Sequence, residues 1–278
     1  MSAACAVPPA ILFEDVDKLF WQGDRTISAL EHLTFAIAQG EYTCVLGRSG
    51  CGKSTTANLL LGLERPTAGR IAVFGQDPAD DFAQLRGRLG SIFQSDRLLP
   101  WRTALENVRL PLEILHLERS HLSTSPHEWL ERLGLQGFES AYPHQLSGGM
   151  RSRAALARAL VAEPDILIAD EAFAHLDEVS AERLRREFHH LAKTEGKTVL
   201  HITHSIDEAL SLADRILVLG KPGHVVADLQ DIPSQDRAAL RIQLLAHLQT
   251  PHRAALKPDP ESRALPDPAF AEAQEWAT

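Results

Sequence analysis

Cysteine is scarce: Cys5, Cys44 and Cys51 are the only three in 278 residues. Their number is odd, and no Cys-x-x-Cys or Cys/His metal spacing accompanies them. A disulfide framework and a zinc site are therefore not expected, and a reducing cytosol is the simplest compartment. Clustered positive charge is also missing. Lys and Arg total 28 against 37 Asp and Glu, a net charge of -9, with no basic block. Binding a phosphate backbone needs grouped cations, so nucleic acid is not expected as the main partner. No stretch approaches the roughly 20 apolar residues that span a bilayer, so any membrane crossing would come from another chain. The N-terminus lacks a charged segment followed by an apolar run, and no secretory signal is expected. Cys5 follows Ser2-Ala3-Ala4 but has no apolar run before it, as a lipoprotein site would. No internal repeat is visible. What remains is the composition of an ordinary soluble protein, 44% apolar and 23% charged, long enough for one large domain or two small ones.

Against that background one stretch stands out, Gly47-Arg48-Ser49-Gly50-Cys51-Gly52-Lys53-Ser54-Thr55. It follows an apolar run, Tyr42 to Leu46, that reads as a buried strand, and precedes Thr56 to Leu61, which reads as a helix. The spacing fits G-x-x-x-x-G-K-[ST], a phosphate-binding loop, in its required strand–loop–helix context. Glycines let the backbone wrap close to a phosphate chain, so that N–H groups and a helix N-terminus point at the anion. Lys53 would lie between β- and γ-phosphates, and the Ser54 hydroxyl would ligate Mg²⁺. The competing reading is a glycine-rich turn that binds nothing; Lys-Ser after the last glycine argues against it. The chain is expected to bind a nucleoside triphosphate.

Taken in order, residues 1–10 are small and Pro-bearing and read as disordered. Ile11–Val16 and Leu33–Ile37 read as short strands flanking a polar turn with Gly23 and Asp24. Phe20 and Trp21 lie between them; spacing alone leaves base stacking and ordinary packing equally open. Arg70–Phe74 is a further strand, ending at Gly75. Leu89–Gln94 reads as a strand whose terminal carboxamide could reach a metal ion or a water near a γ-phosphate. From Trp101 to Leu133 the pattern is helical, and His116, His121 and His127 have no metal spacing. Ser147-Gly148-Gly149 opens a helix from Met150 to Ala162 that carries Arg151, Arg153 and Arg158, and such a start is an anion site by geometry. Ile166-Leu167-Ile168-Ala169 then ends in Asp170-Glu171, the pattern of a central strand delivering acids to its C-terminal edge. Asp170 suits Mg²⁺, and Glu171 could polarise an attacking water. A helix (Glu178–Lys193), a strand (Thr198–Thr203) ending at His204, a helix (Ile206–Leu212) and a strand (Arg215–Leu219) complete an alternation that argues for a parallel sheet. Gln235–Leu248 reads as one more helix, followed by an Ala- and Pro-rich tail over 249–278, read as mobile and dispensable for catalysis.

These landmarks together resemble the ATP-binding subunit of an ABC transporter over about residues 11–220. The order and spacing carry the resemblance: the phosphate loop, Gln94, Leu146-Ser147-Gly148-Gly149-Met150, Ile166 to Glu171, Leu176-Asp177 and His204. The Leu-Ser-Gly-Gly segment separates this family from other phosphate-loop ATPases. Phe93 to Trp101 with Asn107-Val108, His144 to Met150, and Thr203 to Ala209 are similar to importers of nitrate, taurine and aliphatic sulfonates. The resemblance implies an α/β phosphate-loop NTPase core over 11–230 with a mainly parallel sheet. It adds an N-terminal antiparallel β subdomain and an inserted α-helical subdomain at about 95–160, with a C-terminal helix and tail over 231–278. It also implies ATP and Mg²⁺ as cofactors. Phe20 would stack on adenine, with Trp21 second to it. Gln94 would touch Mg²⁺ and the water and link to a membrane partner. Glu171 would be the base, His204 the γ-phosphate sensor, and Asp177 a further nucleotide residue. Ser147, Gly148 and Gly149 would contact ATP held by the opposite subunit, so a homodimer is implied. Permease subunits and, indirectly, a solute-binding protein follow as partners, with the protein at the inner face of the cell membrane. Three positions depart from the pattern: Ala172 replaces Pro, Ala174-His175-Leu176-Asp177 replaces Gly-Ala-Leu-Asp, and Ser152 replaces Gln. The alternatives are an ABC ATPase working on DNA or ribosomes, a regulatory module of low activity, and an exporter ATPase. The first usually has two cassettes or a coiled-coil insertion, and this chain has neither.

Overall fold

The computed structural model describes residues 8–249 except 24, 118–121, 175 and 177. Two sheets organise these residues. Strands β1 (Ile11–Gln22), β2 (Arg25–Ile37) and β4 (Ala68–Val73) form an antiparallel sheet in the order β2-β1-β4. The larger sheet has the order β5-β6-β7-β3-β8-β9 and is built from β3 (Tyr42–Gly47), β5 (Leu89–Ile92), β6 (Ile166–Asp170), β7 (Thr198–Thr203), β8 (Arg215–Leu219) and β9 (Val225–Leu229). Its first five strands run parallel, and β9 pairs antiparallel with β8.

The central strands are continuous hydrophobic runs because both faces of the sheet are covered. Every residue of β3 and of β7 is buried. Alternate residues serve two separate cores. Leu167, Ala169 and Val199 face one core with Leu156 and Phe188, whereas Ile168, Leu200 and Ile202 face another with Leu59, Leu60, Phe13 and Leu30. The second core also joins the antiparallel sheet to α1 (Lys53–Leu60).

Helices α3 (Ala104–Leu115) and α4 (Pro126–Arg132) pack on α5 (Gly148–Leu160). Each begins at a capping box, Thr103 with Glu106 and Ser125 with Glu128, in which side chains satisfy the orphan N–H groups. Among the described residues the helical stretch expected over 101–133 holds two helices. The chain continues through α6 (Glu178–Thr194), α7 (Ile206–Leu212) and α8 (Arg237–Gln249), with a one-turn α2 (Phe82–Leu85) before β5. The mainly parallel sheet, the N-terminal antiparallel sheet and the helices between β5 and β6 match the expected fold class.

Several boundaries differ from expectation. Strands β1 and β2 continue to Gln22 and Arg25, so Phe20 and Trp21 lie in a strand, paired with Ile27 and Thr26, rather than in a turn. Register shifts between Phe13 and Val16 and between Val16 and Lys18 break the alternation that would have revealed the full strand. At the start, Ala10 is buried, donates to Ile37 O and accepts from Phe74 N, so residues 8–10 are ordered by the sheet rather than disordered. Pairing of β5 with β6 stops at Ile92, opposite Ala169, so Phe93 and Gln94 lie beyond the strand. His121, His175, Asp177 and the tail from 250 lie outside the described residues. Among the described residues no helix is long and apolar enough to cross a membrane.

Candidate nucleotide site

Strand β3 lies between β7 and β8, and its C-terminal end runs into the phosphate loop. The neighbouring parallel strands end at the same edge, where open α/β sheets bind their ligands. Asp170 closes β6 and Glu171 follows it; Thr203 closes β7 and His204 follows it. Three motifs that are scattered over nearly 160 residues of sequence therefore meet at one edge.

Helix α1 begins at Lys53, inside the motif, with Gly52 at its N-cap at φ 94° and no side chain capping it. Its first turn also holds no acidic residue. The free N–H groups and the positive end of the helix dipole are thus left for an anion. Gly52 is required on two counts. Its left-handed φ suits glycine, and a Cβ there would lie 2.6 Å from both Ala29 O and Leu30 Cδ2. Lys53 is buried and folds over the loop, its Nζ donating to Gly47 O at 2.8 Å and to Arg48 O at 3.2 Å. Arg48, Ser49, Gly50 and Ser54 are exposed, while Cys51 is buried and its thiol is pushed up by desolvation. Thr56 donates its hydroxyl to Gly52 O at 3.0 Å and fixes the first turn.

The Ser54 side chain faces the Asp170 carboxylate and pulls its pKa down. The Asp170 Oδ1 is buried with no hydrogen-bond partner. Desolvation raises the Asp170 pKa, and the Glu171 charge adds to it, against the Ser54 side chain and the charges of Lys53 and Arg97. A buried carboxylate oxygen without a donor is costly unless a cation meets it, so the hydroxyl–carboxylate pair fits a hard divalent ion such as Mg²⁺. Glu171 adopts φ 48° and donates its N–H to Ile202 O at 2.9 Å. Non-glycine residues at positive φ carry strain and gather at functional sites. Its Oε1 lies 3.4 Å from His204 Nδ1, so the proposed base and phosphate sensor are adjacent.

Gln94 is exposed and shares a narrow cleft with Ser152, Ala172 and Phe173. Phe20 is half-buried, with Lys18 Nζ 4.8 Å from its ring centre, whereas Trp21 is exposed. Adjacent strand residues point to opposite faces, so at most one of the pair faces the phosphate loop. Ser147 caps α5, its Oγ accepting from Met150 N at 3.3 Å, and Gly148 and Gly149 follow. Among the described residues no hydrogen bond joins these three to the phosphate loop. One link was invisible in the sequence. Arg158 donates to Arg97 O and Asp96 O, both at 2.6 Å, and Arg151 Nε donates to Asp96 Oδ2 at 2.9 Å. The segment after Gln94 is thereby tied to the helix that starts at Ser147. The arginines were evident on that helix, but their partners lie 55 to 62 residues away.

The family model described as ABC transporter matches residues 30–174. The nitrate import ATP-binding protein of Synechococcus elongatus is 39% identical over 242 residues, covering 84% of this chain and 85% of that protein. The taurine import ATP-binding protein of Pseudomonas aeruginosa is 40% identical over 217 residues, covering 78% and 81%. Among solved structures, a dimeric ATP-binding cassette in a post-hydrolysis state with ADP and Pi superposes with a TM-score of 0.70. It is 33% identical, over 79% of this chain and 98% of that one. A loop, a carboxylate pair and a histidine at one sheet edge, together with these likenesses, lead to one conclusion: the chain belongs to the ABC transporter family of ATP hydrolases.

Proposed function

We propose that the chain is the ATP-binding subunit of an importer, hydrolysing MgATP in a head-to-tail homodimer to drive uptake of a small solute through a separate permease. The solute class that the branch-level likeness supports is a nitrate-, taurine- or sulfonate-like anion. One observation carries the dimer: Gly47–Thr55, Asp170, Glu171 and His204 share an edge, while Ser147-Gly148-Gly149 opens a different helix with, among the described residues, no hydrogen bond to that edge. A second copy would bring its Ser147 and glycine amides to the open side of the phosphate site.

Positioning and electrostatics do most of the work in phosphoryl transfer. The loop N–H groups and Lys53 hold the phosphate chain, and Lys53 exchanges its contacts with Gly47 O and Arg48 O for phosphate oxygens. Ser54 and Asp170 would hold Mg²⁺, which would supply positive charge against the phosphates. Glu171 orients a water and takes its proton as the oxygen attacks the γ-phosphorus and the bond to the β-phosphate bridge breaks. His204 donates to a γ-phosphate oxygen, and the Gln94 carboxamide would touch Mg²⁺ and the attacking water. Phe20 supplies the stacking surface for the adenine, and Asp177 would act near the partner's loop.

The permease would dock beside Gln94. An open cleft of about 310 Å³ there is lined by Phe93, Arg97, Leu110, Pro111 and Leu115, and Trp101 and Ile114 nearby in sequence are 70% and 64% exposed. Apolar side chains this exposed support a protein contact. Docking there would place the chain at the inner face of the membrane, with a solute-binding protein engaged through the permease. Affinity purification of the tagged protein from detergent-solubilised membranes, followed by mass spectrometry, tests this. A stoichiometric multi-helix membrane protein is the expected result; a soluble partner, or none with ATP-bound dimers preserved, would contradict it.

A further inference from the structure

The turn between β8 and β9 reaches the phosphate loop from the side opposite His204. Gly223 is buried in this turn, donates its N–H to Ala29 O at 2.9 Å and accepts from Glu31 N at 3.0 Å. A Cβ on Gly223 would lie 2.7 Å from Cys51 O, so the turn is wedged against the loop backbone itself. Gly220 N donates to His224 O at 2.9 Å and closes the turn. This anchoring sets Lys221 on the loop: its Nζ stands 3.1 Å from where a Cβ on Gly50 would be, and its Cε 3.9 Å. Gly50 itself adopts φ 73°. Burial pushes the Cys51 thiol up, and Lys53 and Lys221 are the two side-chain cations that pull it back.

Among the described residues no carboxylate pairs with Lys221, and the side chain is exposed. An unpaired ammonium held beside the positive end of a helix, within reach of a second lysine's field, is electrostatically unfavourable until an anion arrives. Exposed lysines ordinarily sample solvent; this one rests on a loop whose amides are arranged for phosphate.

We propose that Lys221 is a second phosphate-binding lysine, closing on the polyphosphate chain of the bound nucleotide from the β8–β9 turn while Lys53 holds it from within the loop. This rests on the nucleotide reading of the site and adds a residue to it. The lysine is a charge contact to the phosphates and takes no part in the proton transfer at Glu171.

Calorimetric titration of MgADP into the full-length wild type, Lys221→Gln and Lys221→Arg, at 0.1 M and 1 M salt, tests it. Lys221→Gln is expected to bind MgADP about fivefold more weakly at 0.1 M salt, a reasonable size for a solvent-accessible charge contact. Lys221→Arg should bind within about twofold of wild type, and the deficit of Lys221→Gln should shrink at 1 M salt, where such contacts are screened. Wild-type affinity in Lys221→Gln overturns the proposal and leaves the nucleotide site standing. A deficit shared equally by Lys221→Arg and unchanged by salt also overturns it, because that pattern belongs to a distorted turn. Failure of the wild type to bind MgADP would overturn the nucleotide reading along with it.

Discussion

Replacing Gly52 with alanine separates backbone strain from close packing at the loop. Two costs act there. An L-residue in the left-handed region costs about 1–2 kcal/mol, and φ at Gly52 is 94°. The added Cβ would also sit 2.6 Å from Ala29 O and 2.6 Å from Leu30 Cδ2. Ala29 O is backbone within β2 and cannot swing aside, so the loop itself must move, at an overpacking cost of about 1–3 kcal/mol. Gly75 provides the control, with φ 83° and nothing within 4 Å of an added Cβ. Gly75→Ala bears the strain alone, and alanine's stiffer unfolded chain offsets about 0.4–1 kcal/mol in both variants. The expected losses are therefore about 1 kcal/mol for Gly75→Ala and about 2–4 kcal/mol for Gly52→Ala. At about 2–4 °C per kcal/mol for a chain of this size, calorimetry should show midpoints about 3 °C and about 5–15 °C below wild type. Only Gly52→Ala should also lose the upward shift that saturating MgADP gives, about 2.7 kcal/mol at a hundredfold excess over Kd. Equal midpoints for the two variants, or intact MgADP stabilisation of Gly52→Ala, would refute the packing argument.

Two further outcomes follow from buried charge. The Asp170 carboxyl is raised above its ordinary 3.8 mainly by desolvation, so the folded state holds this proton more tightly and ligand-free stability falls as pH rises through the folded pKa. Above the folded pKa that penalty is complete, and Asp170→Asn should there raise the ligand-free thermal midpoint while abolishing the gain in nucleotide affinity from added Mg²⁺; a lower midpoint would count against a buried-charge cost at Asp170. The second concerns His201, fully buried in β7, which meets Tyr42 Oη at 2.9 Å through Nδ1 and Glu208 at 3.8 Å through Nε2. Burial holds its pKa below 6.5, against the pull of Glu208. The unfolded chain therefore takes the proton first, so stability is complete above about pH 6.5 and falls below it. Urea midpoints from pH 8 to 5 should fall less steeply for His201→Gln than for wild type, and parallel slopes would exclude His201 as the source.

Much of the site was legible because its motifs are local. The phosphate loop, Asp170-Glu171 and His204 each follow an apolar run that is buried on both faces, and the strands Thr198–Thr203 and Arg215–Leu219 fell where expected. Edge and irregular elements were harder. Strand β9 is half-exposed along its length and has one partner, so no strong pattern marks it. The bulges at Val16 hid the length of β1 and with it the strand setting of Phe20. The capping signatures Thr103-x-x-Glu106 and Ser125-x-x-Glu128 were present and would have divided the helical stretch. The tie from Asp96 to Arg151 and the placement of Lys221 against Gly50 depend on tertiary contacts between distant segments, which spacing does not record.

In the proposed reaction Glu171 would take the proton from water at a nucleotide held by the phosphate loop. Glu171→Gln keeps the shape and removes the base. Steady-state phosphate release and MgATP binding should be measured together on the same preparation of that variant. Turnover should fall by at least about a hundredfold, the usual contribution of a positioned base, with MgATP affinity within a few-fold of wild type. Turnover near the wild-type rate with MgATP bound would contradict it.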